Sequence, residues 1–254
     1  ISLDFRAMYP SLIIENNICF TTVSAAGTIA SPTGAKFLSS DVKKGLLPVI
    51  LANLMRDRQE VRAKMREERD PAMREFYDGL QAAIKTLMNA FYGVLASSFY
   101  RFNDPKVGAS ITAFARETIK GIIGELEKDG VKVVYADTDS VFFQSPTPSP
   151  EGSLEFARHT AERFSRGRIA MEVDKIYRTL FSHGRKKRYA GKVAYPQDME
   201  GEIVVRGYEI RRTDAFDLQS EAQMLVFDKI LDNDPDGAIA LARQVVGEVR
   251  AGHP

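Results

Sequence analysis

Two carboxylates stand two positions apart in Tyr135-Ala136-Asp137-Thr138-Asp139-Ser140. The flanks, Val131-Lys132-Val133-Val134 and Val141-Phe142-Phe143, are rich in β-branched and aromatic residues and predict strands. The polar piece between them reads as a hairpin turn with Asp137, Thr138 and Asp139 at its tip. Two such close carboxylates repel each other unless a cation neutralises both. Hard divalent ions such as magnesium take oxygen ligands of this kind. An Asp-rich turn with no chemistry has the same composition, because Asp is a favoured turn residue. The hexapeptide therefore needs support from the rest of the chain.

Other residues of the right type stand apart from it. Asp4 closes a short apolar strand and precedes a turn into a helix begun near Pro10, so its carboxylate can face a cleft. A lone Asp there also suits a cap or turn. Arg58 and Arg62 are four apart on a predicted helix and share a face. Gln81, Lys85 and Asn89 repeat at four-residue spacing on the next helix, closed by Tyr92-Gly93. Such a polar stripe opposite a core stripe is shared by any amphipathic helix. Gly184-Arg185-Lys186-Lys187-Arg188-Tyr189-Ala190-Gly191-Lys192 is the one dense basic run, with no acid in it. It suits a phosphate backbone, with Tyr189 available to pack on sugar or base. A solvent-exposed basic loop has the same composition.

The 254 residues, 44% hydrophobic and 27% charged, are enough for one large domain or two smaller ones with a real core. The formal net charge of +1 announces no nucleic-acid partner, so any basic surface is local. A single cysteine, Cys19, excludes an intrachain disulfide framework and a multi-cysteine zinc site. No run of eighteen apolar residues is present, so no membrane partner is expected. The chain opens on Ile1 and enters a strand at once, as expected of an excised piece of a longer protein.

These residues need elements to hold them. The spacing of Leu47, Ile50, Leu51, Leu54, Val61 and Met65 predicts a helix from Gly45 to about Glu68. Asp70-Pro71 breaks it, and a second helix follows from about Ala72 to Ser98. Together they make an antiparallel helical hairpin. A third helix is expected over Ser110–Lys128, leading directly into the carboxylate hairpin. Residues 24–41 read as a loop or weak hairpin, and 145–152 as a proline-rich loop before a helix over Leu154–Arg166. Ile169–Asp174 and Gly201–Val205 read as strands. Glu221–Arg250 reads as helical with a break at Asp232–Pro235.

In this order, the motifs resemble those of the family B (α-like) DNA polymerases, of the archaeal type. Asp4-Phe5-Arg6-Ala7-Met8-Tyr9-Pro10-Ser11-Leu12-Ile13 resembles the first palm motif. Lys85, Asn89 and Tyr92-Gly93 match the fingers-helix motif. Tyr135 to Ser140 resembles the second palm motif, with Ala136 in the usual glycine place. Lys186-Lys187-Arg188-Tyr189 resembles the basic motif at the thumb base. Arg206-Gly207 with Asp214 resembles a further thumb-base motif, in which Thr213 stands where a second Arg is usual.

The resemblance implies an α+β fold: a palm with an antiparallel sheet flanked by helices, an inserted two-helix fingers hairpin, and a truncated thumb base. It implies palm over 1–44, fingers over 45–98, palm again over 99–184, and thumb base over 185–254. It implies template-directed DNA synthesis with two magnesium ions, for which manganese can substitute. By resemblance Asp4, Asp137 and Asp139 are catalytic and hold metal, with the Phe5 carbonyl a further ligand. Arg58, Arg62, Lys85 and Asn89 would hold the triphosphate, brought to it as the fingers close. Tyr9 would gate the sugar, and Tyr92 would lie beside the nascent base pair. Thr138, Lys186, Lys187, Arg188, Tyr189, Arg206 and Asp214 would contact primer–template DNA. The implied partners are that DNA and deoxynucleoside triphosphates. The implied state is a nucleoid-associated cytoplasmic monomer, with a sliding clamp as a partner of the full-length protein. An inactive polymerase-like scaffold that binds primer–template is the alternative, and whether the segment works alone is left open. A reverse-transcriptase-like reading lacks its Tyr-x-Asp-Asp pattern, and no glycine-rich loop suggests a nucleotide hydrolase.

Overall fold

The computed structural model describes residues 1–208, 210 and 216–252. The chain divides into two compact units. The first contains Ile1–Asp4, Val131–Thr160 and Val173–Pro254, and the second contains Phe5–Gly130 and Ala161–Glu172.

The first unit is built on a sheet. Its strands are β1 (Ser2–Phe5), β4 (Val133–Ala136), β5 (Ser140–Phe143), β6 (Met171–Phe181), β7 (Tyr189–Tyr195) and β8 (Ile203–Arg206), in spatial order β4-β5-β1-β6-β7-β8. Every pair with a described register is antiparallel. β1 lies beside β5 because Leu3, Val141, Phe142 and Phe143 are apolar and all lose their surface there. Phe143 packs edge-on against Phe156 of α5 (Pro150–Phe164), with ring centroids 6.1 Å apart. The helix starts inside the expected proline-rich loop, because proline is well tolerated in a first helical turn. At the other end of the sheet, Ala190 and Val205 form a small core with Phe227 and Leu231 of α6 (Asp217–Leu231). α7 (Pro235–Arg250) follows, with the Asp234 side chain capping Gly237 N–H at 2.9 Å. The expected break at Asp232–Pro235 is this cap.

The second unit is helical, with α1 (Met8–Glu15), α2 (Leu46–Glu67), α3 (Pro71–Ala96) and α4 (Pro105–Lys128), plus a two-stranded ribbon of β2 (Ile29–Ala30) and β3 (Lys36–Phe37). Ile13, Ile18, Phe37, Leu51, Leu95, Val107 and Ile111 are its buried core. α4 begins five residues before the expected Ser110. Asp104 accepts from Lys106 N–H at 2.9 Å and Pro105 opens the helix, a start signal that apolar periodicity does not register. Asn17 ties the loops together. In a left-handed conformation (φ 47°), its side chain donates to the carbonyls of Leu38 and Lys43 and accepts from Gly45 N–H at 2.7, 2.8 and 2.9 Å.

α2 and α3 form the expected antiparallel pair. In α2 only Leu47, Pro48 and Leu51 are buried, and in α3 only Met88 and Leu95. The hairpin is therefore rooted at one end, and its far turns lean mainly on each other. That leaves polar side chains along its length able to serve a ligand.

Candidate active site

β4 ends at Ala136 and β5 begins at Ser140, so Asp137, Thr138 and Asp139 form the hairpin tip. Asp137 N–H closes it by donating to the Ser140 carbonyl at 3.0 Å. Between Val133 and Tyr135 the register slips by one residue, a bulge of the kind that re-aims side chains near functional sites. On the neighbouring strand Asp4 pairs with Ser140. The register thus brings Asp4 level with the residue after Asp139, so the strand-end acid and the tip acids lie at one end of one sheet. Asp4 and Asp137 are half-buried, and Thr138 and Asp139 are exposed.

The Asp137 carboxylate faces Lys187, whose Nζ lies 3.0 and 2.7 Å from its two oxygens. Partial burial pushes this carboxyl up. The Lys187 hydrogen bonds, the Thr138 backbone N–H, the Lys187 charge and the Thr138 hydroxyl outweigh it, and the net shift is downward. Lys187 is shifted up in turn, mainly by the bond to Asp137. Its backbone is held as well. Lys187 N–H donates to the Tyr135 hydroxyl at 2.9 Å, and its φ is 64°. Tyr189, foreseen as a DNA contact, is half-buried, with its ring among those of Tyr135, Phe142 and Tyr177 at 6.0, 5.2 and 6.3 Å. Arg188 lies over the Tyr208 ring at 5.8 Å. Lys186 and Arg206 are exposed. Asp214 and Thr213 lie outside the described residues.

Among the described residues no group of three or more His, Cys, Asp or Glu is arranged to hold a metal. The expected trio of Asp4, Asp137 and Asp139 shares a sheet end but is not gathered into one cluster, and Asp137 is engaged by Lys187. The donor set itself fits a hard divalent ion: carboxylate oxygens on a strand end and an adjacent tip, held by paired backbone. Phe5, whose carbonyl was the further ligand, is buried.

The second unit holds the other predicted residues. Arg58 donates to Gln81 from Nε (3.2 Å) and Nη2 (2.9 Å) to Oε1, and from Nε to the carbonyl at 3.3 Å. Burial, then the charges of Arg62 and Arg6, lower its pKa. Arg6 is itself ion-paired with Glu172. Lys85 and Asn89 are exposed on α3. Tyr9 and Tyr92 pack ring to ring, 4.8 Å between centroids and tilted 55°. The sequence did not show that Gln81 would hold Arg58 or that the Tyr135 hydroxyl would accept from Lys187 N–H. Gln81 stood in the polar stripe, but nothing in its spacing names Arg58 as its partner.

An α+β protein built on an antiparallel sheet, with carboxylates at a strand end and a hairpin tip, is the class these features define. The model of the DNA polymerase family B matches residues 1–251, and the chain belongs to that family. It is 32% identical to the DNA polymerase delta catalytic subunit of Mesocricetus auratus, over 98% of this chain and 25% of that protein. It is 33% identical to DNA polymerase 1 of Pyrococcus abyssi, over 96% of this chain and 32% of that protein. The solved family B DNA polymerase of Pyrobaculum calidifontis superposes with a TM-score of 0.71 at 27% identity, over 98% of this chain and 32% of that one. The chain thus spans 25% to 32% of the length of these relatives.

Proposed function

We propose that this chain carries the nucleotidyl-transfer centre of a DNA-directed DNA polymerase, extending a primer 3′-hydroxyl on a DNA template with release of pyrophosphate. The observation that carries this reading is the pairing of Asp4 with Ser140 in a family B chain, which sets two acids from separate motifs at one end of one sheet. Phosphoryl transfer asks little covalent chemistry of a protein and much positioning and charge stabilisation.

Asp4 and Asp139 would hold the divalent ions, magnesium or manganese, with Asp137 joining them when it leaves Lys187. The chemistry that two such ions supply when bound is activation of the primer hydroxyl and stabilisation of charge on the leaving group. Arg58, Arg62 and Lys85 would take the triphosphate, and the fixing of Arg58 by Gln81 and the exposure of Lys85 support this reading. Asn89 would add a hydrogen bond to it. Tyr9, fixed against Tyr92, would present a ring to the sugar and disfavour a 2′-hydroxyl. Exposed Lys186 and Arg206, with Arg188, would hold the phosphates of primer–template DNA.

The test is primer extension with magnesium by a family B polymerase carrying residues 1–254, beside the same protein with Asp139→Ala. Extension lost in the variant supports the reading, and extension that survives it places the chemistry elsewhere. The second reading, an inactive scaffold that binds primer–template, draws on the engagement of Asp137 by Lys187. It predicts DNA binding with no extension by either protein.

A further inference from the structure

We propose that Lys187 is an internal counter-ion that holds Asp137 away from divalent metal until duplex DNA claims the lysine, so that DNA binding and metal binding are coupled through this side chain. The inference rests on the metal reading of the hairpin tip given above.

Both oxygens of Asp137 lie within hydrogen-bond distance of one ammonium. That ammonium supplies the positive charge a metal would otherwise supply. Among the described residues of the basic run, Lys187 alone makes this pair. Its placement is built into the backbone. Lys187 sits at φ 64°, a conformation that costs a side-chain-bearing residue energy. Its N–H bonds the hydroxyl of Tyr135, two residues before Asp137. Its carbonyl lies where a Cβ on Gly207 would come within 2.1 Å, so the glycine of the Arg206-Gly207 motif leaves room for it. The β4–β5 hairpin and the basic loop are thus joined twice, once through Tyr135 and once through Asp137.

The pair is also reachable. The Lys187 side chain is 67% exposed, beside exposed Arg185 and Lys186. An exposed ion pair is weak, so a phosphate backbone can draw the ammonium away at little cost. Asp137 then regains two ligand oxygens beside Asp139. Linkage requires the converse by the same factor: metal on Asp137 frees Lys187 and tightens duplex binding.

The experiment measures Mn2+ affinity of the chain by calorimetry, and by the electron paramagnetic resonance signal of free Mn2+, with and without a primer–template duplex. In the parent, duplex should tighten Mn2+ by about fivefold or more, the lower end of ordinary couplings. Lys187→Met should bind Mn2+ without duplex about as tightly as the parent binds it with duplex, and lose the coupling. Lys187→Arg, which keeps the charge, should retain it. Lys132→Met removes an exposed positive charge just ahead of β4, at a residue with no part in the site, and should keep the parent's pattern. Circular dichroism checks that each variant is folded. Unchanged Mn2+ affinity in folded Lys187→Met, or equal changes in Lys132→Met and Lys187→Met, overturns the inference. Asp139→Ala separates the two levels. Parent-like Mn2+ binding by that variant overturns the metal reading itself, whereas its loss together with an inert Lys187→Met overturns the coupling alone.

Discussion

Gly207→Ala puts the join between the basic loop and the hairpin to a quantitative test. Gly207 has φ +69°, and a Cβ there would lie 2.1 Å from the Lys187 carbonyl oxygen and 2.9 Å from its carbon. Real Cβ atoms essentially never approach within 3.0 Å, so backbone must move. The left-handed conformation alone costs an alanine about 1–2 kcal/mol. Displacing Lys187, itself left-handed at φ 64°, adds strain of roughly 1–3 kcal/mol. The total is about 2–5 kcal/mol. Gly201 is the built-in comparison: its φ is +84°, but nothing lies within 4 Å of its would-be Cβ. Gly201→Ala should therefore cost only the first part, about 1–2 kcal/mol. In a chain of this size each kcal/mol moves the melting temperature by roughly 2–4 °C. Thermal and urea melts of both variants give the difference, with the urea slope unchanged. Equal destabilisation by the two substitutions would refute the close approach, and with it the argument that Gly207 is there to admit Lys187.

Four further outcomes are expected. Asn17→Ala strands two carbonyls and one N–H in a buried loop junction, so urea melts should record a loss of about 2–4 kcal/mol, and a loss below about 1 would contradict the network. The carboxyl of Asp137 is held below its ordinary 3.8, so its contribution to stability is present above that value and is lost as pH falls through the lower folded value. The stability gap between the parent and Asp137→Asn should accordingly be flat above about pH 5 and close only in stronger acid, and a gap that closes near neutrality would point to a different group. Lys85→Ala should raise the deoxynucleotide KM in extension assays while duplex affinity, read by fluorescence anisotropy, is retained. Equal loss of both would argue against a phosphate role. Tyr9→Ala should increase ribonucleotide incorporation relative to deoxyribonucleotide, and an unchanged ratio would remove the sugar-gate assignment.

The sequence by itself made most of the elements legible and nominated the candidate residues, but β7 (Tyr189–Tyr195), which begins inside the basic run, was not among the expected strands. Alternating β-branched and aromatic residues around Asp137-Thr138-Asp139 can form little but a hairpin, and 3.6-residue apolar spacing made α2 and α3 legible with Asp70-Pro71 as their break. Helix starts were less legible where the signal was a cap: α4 opens at Asp104-Pro105, ahead of its apolar period. The long β6 ran past the expected strand over Ile169–Asp174, because its register with β7 shifts twice and blurs the alternation. Only the tertiary structure decided which residues meet. The pairing of Asp4 with Ser140 spans most of the sheet's sequence and depends on which strand lies between β5 and β6. The bond of Lys187 to Asp137, fifty residues away, depends on a left-handed backbone and a glycine opposite it. Local spacing encodes periodicity, and so it names faces and turns. Partners across a sheet are fixed by packing and register, which no short stretch of sequence contains.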